Sequence, residues 1–356
     1  MSVITVIVLI FSALGGLDYL FGGKLGLGAE FEKAFVLFKA MILSMLGILV
    51  VAPAVGVWLQ PVFDGFYNVF GLDPSIIPAS LFANDMGGMT IAQEICKSEG
   101  IGNYNAFVIA SMMGAVISFT IPVGIGMVKK EQHKDLFFGF LCGIVTVPVG
   151  GVISGLMCGL HIGAILLNLL PLMILSAIIA AGLLLAPALS VRIFSLFGQF
   201  MRAAGIVGLF CAIFTFLTKI EMNPHFGSME SAALVCVNAC VTLSGMLPLM
   251  YIITKLVNKP AQRLGAKMGI DSTAAVSFLA TSVSVTTIFG TMEKMNRKGV
   301  VLNAAFSVSA SFALGSHLAF TMAFDSRYLW PMIVGKLISG VCAVALAMVI
   351  YKEQTE

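Results

Sequence analysis

The 356 residues are 59% apolar and only 10% charged, with a mean hydropathy of +1.03. That balance excludes a soluble globular domain and indicates an all-α polytopic membrane protein. The formal charge of +3 comes without a basic block, which argues against a nucleic-acid binder, and no polar stretch is long enough for a separate soluble domain. A single membrane domain over 1–356 is the expectation.

Hydropathy marks eleven apolar segments, at about 3–20, 35–59, 74–95, 103–128, 136–160, 163–186, 203–219, 231–257, 271–291, 300–324 and 330–351. The first runs into Asp18 without a basic leader, which suggests a retained span. Segment 74–95 is unusual, because Asn84, Asp85, Gly87, Gly88, Thr90, Gln93 and Glu94 interrupt its apolar run. An ionisable side chain at bilayer depth costs roughly 2.5–3.5 kcal/mol, so its presence there indicates use. Gly-Gly beside an acid suggests a broken helix, which membranes tolerate only inside protein or beside a water-filled cavity. The competing reading is a surface loop between two short spans. Segment 271–291 is the second unusual one, being rich in Ser and Thr.

The basic residues test whether these two segments cross. If all eleven cross, ten Lys/Arg collect on one side and eight on the other, which is no bias. If 74–95 and 271–291 enter and leave on one side as re-entrant hairpins, one side holds fifteen and the other only Lys97, Lys219 and Arg327, with Lys39 and Lys336 inside spans. Short cytoplasmic loops are rich in Lys and Arg. The preferred topology therefore has nine crossings, two hairpins, an external N-terminus and a cytoplasmic C-terminus. Hairpin arms of about ten residues, roughly 15 Å of helix, reach the midplane.

A shift of 198 residues pairs Ser44 with Thr242, Gly47 with Gly245, Asp73 with Asp271, Asn105 with Asn303, Ser111 with Ser309 and Ser118 with Ser316. With the hairpin topology the halves, 1–160 and 203–351, have opposite orientation around a linker helix at 163–186. Inverted repeats whose broken elements meet at the midplane are a transporter architecture.

Asp85 and Glu94 are the first candidates for binding a small cation, though Glu94 could equally be solvated beside Lys97 and Glu99. Asn105 and Asn303 open helices after the hairpins and could cap them or orient a ligand. His317 reads as a buried neutral histidine or a proton-handling group. Lys336 is expected to snorkel to the outer interface, the alternative being an ion pair in the core. Pro53, Pro122, Pro148, Pro171 and Pro248 are expected to kink helices. Seven cysteines, mostly within segments, have neither metal nor disulfide spacing and read as packing residues. Motifs of hydrolases, metalloproteases, P-loops and dinucleotide folds are absent, and the position matching Asp85 in the second half is Val283, so no enzyme is expected.

Asp85-Met86-Gly87-Gly88 with Glu94, Ser111-Met112-Met113-Gly114, Gly143-Ile144-Val145-Thr146 with Pro148, Asn303 to Phe320 and Pro331 to Ile338 together resemble the ethanolamine permease family of bacterial ethanolamine-utilisation operons. The likeness covers nearly the whole chain. It departs where the family carries an acid before the histidine and this chain has Ser316. The resemblance implies uptake of ethanolamine across the bacterial inner membrane and a functional link to cytosolic ethanolamine ammonia-lyase. It implies no cofactor, names no coupling ion, and is compatible with a homo-oligomer. A protonated amino alcohol fits a site with Asp85 as charge partner, Asn84, Thr90, Glu94, Asn303, Ser309 and His317 as polar partners, and Gly87 and Gly88 letting a ligand approach the backbone. A passive channel for a small cation and an intramembrane enzyme acting on a lipid headgroup are the alternatives.

Overall fold

The computed structural model describes residues 3–351, apart from the side chains of Val3 and Ser44. Lys352, counted above among the cytoplasmic charges, and the Ser44 side chain, paired above with Thr242, lie outside the described residues. Every regular element among them is helical. Within a bilayer this follows from the backbone, since a helix satisfies its own N–H and C=O groups where no water can. By length and composition, seven helical stretches among the described residues can cross a membrane: 47–70, 99–127, 130–157, 162–185, 187–218, 229–268 and 326–350. Two further apolar helices are shorter.

In chain order, α1 (Val3–Leu20) precedes α2 (Leu27–Met41). A π-helical turn at Ile42–Leu46 joins α2 to α3 (Gly47–Phe70), which runs through Pro53 and Pro61 and stops at left-handed Gly71. The first unusual segment is two short helices, α4 (Ile76–Leu81) and α5 (Gly88–Ile95), separated by an extended step and a turn. A long rod follows, from α6 (Glu99–Tyr104) through π-helical turns at Asn105–Gly114 and Val116–Thr120 into α7 (Ile121–Met127). It is the most enclosed span, 83% buried, against 28% for each of α9 (Ile162–Leu185) and α10 (Pro187–Thr218). The apolar residues of α9 and α10 therefore face outward, as lipid contact requires. Between rod and periphery stands α8 (His133–Met157).

The second half opens with α11 (Met229–Met268), which packs on α1 and α2. The second unusual segment again breaks, into α12 (Ser272–Val283) and α13 (Val285–Phe289) around extended Ser284. Then come α14 (Arg297–Ala310), α15 (Ser316–Phe324) and α16 (Leu329–Ile350). The core is formed where α8, α14 and α16 pack together around the rod. Small residues permit that approach: a Cβ on Gly150 would lie 2.4 Å from the Gly335 carbonyl. Hydroxyls bond across it, Ser154 to the Pro331 carbonyl at 2.7 Å and Ser339 to the Thr146 carbonyl at 3.0 Å.

Two differences from the hydropathy segments matter. Helix α10 starts at Pro187 rather than near 203, because its first turns carry Arg192 and Arg202 and fall below the apolar threshold. Segment 300–324 is not one span. It breaks at 311–315, where Phe312 takes a left-handed φ of 61°. The break is stabilised by α12, whose terminal carbonyls accept from it: Phe312 N–H bonds the Thr281 carbonyl at 3.2 Å and Leu314 N–H the Ser282 carbonyl at 2.7 Å. Hydropathy cannot register such a break, because the accepting carbonyls lie about thirty residues away in sequence.

Each unusual segment starts and ends at one place. The Asp73 carboxylate accepts from Lys97 N–H at 3.0 Å and Ser98 N–H at 2.9 Å. The Asp271 carboxylate accepts from Asn296 N–H at 2.7 Å, while Asn296 Nδ2 donates to the Gly269 carbonyl at 3.0 Å. Asp73 with Ser98 and Asp271 with Asn296 are related by the same 198-residue shift.

Candidate functional site

Asp85 sits on the turn Asn84–Met86 between α4 and α5, and the chain leaves that turn through Gly87 at a φ of 88°. A side chain at Gly87 would be strained, and its Cβ would also meet Ile48 at 2.8 Å. At Gly88 a Cβ would lie 2.1 Å from the Phe82 carbonyl. The two glycines close the turn against protein, and the space beside them is filled by Ile48 and by backbone rather than open to a ligand.

The turn delivers the Asp85 carboxylate to the floor of a cavity of about 360 Å³. Both broken segments and the break at 311–315 contribute to its walls, through Met86, Ser284, Phe312 and Ser316 among others. His317 faces Asp85 across it, with Nε2 3.7 Å from Oδ1, and Ser316 lines the cavity with them. Aromatic faces gather beside the acid: Phe119 and Phe312 meet edge to face at 5.4 Å between centroids, and Phe312 lies 5.1 Å from the His317 ring. Lys33 and Thr287 line the same cavity from α2 and α13.

Behind the histidine lies Lys336. It is fully buried, its Nζ donates to the Ser111 carbonyl, and it stands 3.1 Å from His317 Nδ1. The expectation that Lys336 snorkels is therefore corrected. A lysine in the second turn of a span can reach the interface only if its helix face points there, and α16 turns this face inward. Carboxylate, imidazole and ammonium form one buried line.

The remaining expected site residues are placed elsewhere. Asn84 is fully buried next to Asp85, but its amide atoms have no hydrogen-bond partner among the described residues and it does not line the cavity. Thr90 is half-buried on α5, away from the cavity. Glu94 is exposed at the far end of α5, its stem against Gly56 of α3, so the two acids do not share a site. Asn303 Nδ2 donates to the Ala274 and Gly299 carbonyls, both at 3.0 Å, tying α14 to the start of α12. Asn105 does the corresponding work in the first half, bonding Ser75 Oγ at 2.8 Å and exchanging hydrogen bonds with Asn168. Ser309 pairs with Ser339 at 2.7 Å inside the α14–α16 contact. Asp85 and His317 are the members of the expected set that the fold brings together. Lys336, Phe119, Phe312 and Ser316 join them. Of these Lys336 left a signal in the sequence, as a lone cation in an apolar segment, and Ser316 did so through the repeat and the departure from the family before the histidine; Phe119 and Phe312 left none.

The family model described as "Ethanolamine utilisation protein, EutH" matches residues 1–350. The chain is 36% identical over 347 residues to a protein of Listeria monocytogenes named "Probable ethanolamine permease EutH", covering 98% of this chain and 93% of that one. Proteins of the same name from Salmonella typhimurium and Escherichia coli are 34% and 33% identical, over 91% and 92% of this chain and 86% of each relative. No solved structure matches the chain. Carried by a full-length family match and by relatives this similar over nearly their whole length, the chain belongs to the ethanolamine utilisation protein EutH family.

Proposed function

We propose that this protein is a permease that takes up protonated ethanolamine by alternating access, with the ammonium held at Asp85. The observation that carries this is the buried Asp85 carboxylate on the floor of a 360 Å³ cavity walled by both broken segments. A small organic cation needs a carboxylate, hydroxyls and an aromatic face, and Asp85, Ser316, Ser284, Phe119 and Phe312 supply them together. The names of the relatives point to the same substrate.

In the proposed architecture nine segments cross, 300–324 as two helices joined at 311–315, and segments 74–95 and 271–291 are re-entrant hairpins, in two inverted halves, 1–160 and 203–351, around the linker at 163–186. The carboxylate clamps at Asp73 and Asp271, equivalent at a 198-residue offset, support it. With the N-terminus outside and the C-terminus cytoplasmic, Lys33 is cytoplasmic, so the cavity it lines opens inward. Ethanolamine delivered there would meet the proposed metabolic partner, a cytosolic ammonia-lyase.

Counterflow in proteoliposomes is the test. Internal unlabelled ethanolamine should accelerate entry of labelled ethanolamine, saturably, through the wild-type protein. Non-saturable entry without trans-acceleration indicates a passive channel. Release of a new product from candidate lipids indicates an enzyme.

A further inference from the structure

We infer that the protein exchanges its cationic substrate for a proton, and that Lys336 is the group that gives the proton up; this rests on the assignment of Asp85 to the substrate ammonium. Lys336 is fully buried and does not line the cavity, so it cannot touch a ligand there. It reaches the cavity through His317 instead. Its Nζ faces Nδ1 at 3.1 Å, and on the other side of the ring Nε2 faces the Asp85 carboxylate at 3.7 Å. A charged lysine donates to Nδ1, which leaves the ring hydrogen on Nε2, aimed at the acid. An imidazole that accepts a proton at one nitrogen and releases one from the other connects the two ends.

The surroundings isolate this line. From α8 and α14 the groups bonded to α16 are neutral hydroxyls, Thr146, Ser154 and Ser309. The rod offers the Ser111 carbonyl, and α11 brings the Cys236 thiol towards Asp85. At the cavity wall Lys33 already has Glu30 at 3.3 Å. Without substrate, therefore, the buried charges are one carboxylate and one ammonium, and they balance. Adding a substrate ammonium leaves one positive charge unmatched in an apolar interior, which is strongly unfavourable.

Loss of one proton restores the balance. The N–H bond of Lys336 breaks and its electron pair stays on Nζ. The proton adds to Nδ1, the ring releases its Nε2 hydrogen, and that hydrogen passes by the Asp85 carboxylate to water in the cavity. The neutral amine then accepts from Nδ1–H, and Nε2, now without its hydrogen, accepts from the substrate ammonium held at Asp85. When the substrate leaves, Lys336 takes a proton back from the side to which the cavity opens. One cation enters for each proton that exits, and both the empty and the loaded site are neutral.

The test titrates ethanolamine into the purified full chain in weakly buffered detergent with a pH-indicating dye. About one proton should appear per ethanolamine bound, and wild-type affinity should fall about tenfold per unit of decreasing pH. K336R, whose guanidinium keeps its proton, should bind ethanolamine at least about tenfold more weakly, without releasing a proton and without that pH dependence. Release that persists in a folded K336R places the proton's origin elsewhere and overturns the inference, as does wild-type binding with no release. Should K336R fail to fold, wild-type proteoliposomes decide. An inside-acid gradient should drive accumulation beyond that of protein-free vesicles while an inside-negative potential does not; accumulation driven by the potential overturns the exchange. Absence of any ethanolamine binding by the wild type would instead remove the substrate assignment beneath it.

Discussion

Replacing Asp85 by Asn keeps the size of the side chain, removes its charge and turns one of its two acceptor atoms into a donor. Asp85 is 9% exposed, so its carboxylate interacts in a largely dehydrated setting. A buried charge pair that loses one partner typically forfeits about 3–5 kcal/mol. Because this carboxylate also faces a cavity, the lower end applies, about 3 kcal/mol, or roughly a hundredfold in dissociation constant. Glu94→Gln makes the same change in charge nine residues away in the chain, on an exposed side chain, and should leave affinity unaltered. Isothermal titration of ethanolamine into both purified variants makes the comparison, with size-exclusion profiles establishing that each is folded. A folded Asp85→Asn protein with wild-type affinity would refute the assignment, and an equal loss in Glu94→Gln would show that the effect is one of overall field rather than of the site.

Three further outcomes are expected. In a background without native cysteines, single cysteines at 97 and 219 should react with an impermeant reagent from outside, and those at 130, 259 and 298 only from inside; labelling of 130 and 298 on opposite sides refutes the hairpin topology, and labelling of 98 and 296 on the same side refutes the inverted repeat. Gly335→Leu should destabilise the α8–α16 contact by at least the about 1–3 kcal/mol of an overpacked core, because its Cβ would lie 1.8 Å from Ser154 Oγ, whereas Gly126→Leu, with nothing within 4 Å, should melt like the wild type. Asp271→Asn should weaken the base of the second broken segment, losing charge-assisted bonds worth about 1.5–3 kcal/mol each, and limited proteolysis near 290–296 should then accelerate.

Much of this protein was legible in its sequence because a bilayer narrows what a chain can do. An apolar run must be helical there, so hydropathy located α1, α8, α9 and α16 to within a few residues, although 35–59 and 231–257 stop eleven residues short of the ends of α3 and α11 and two arginines masked the first turns of α10. The same constraint made two of the exceptions visible: Asp85 beside two glycines, and the hydroxyl-rich stretch from 271, both lie in segments that break. Motifs spread along the chain sufficed to indicate the family. Sequence could not say where side chains point. Lys336 and Glu94 are each a single charge near the end of an apolar segment, and only the rotation of their helices sends the lysine to the core and the acid to the surface. Nor could local pattern disclose the break at Phe312, which exists because the end of α12 offers carbonyls to its N–H groups. Asp85, His317 and Lys336 are separated by more than two hundred residues at their extremes and become one line of charge only when α15 and α16 pack beside the turn that carries the acid.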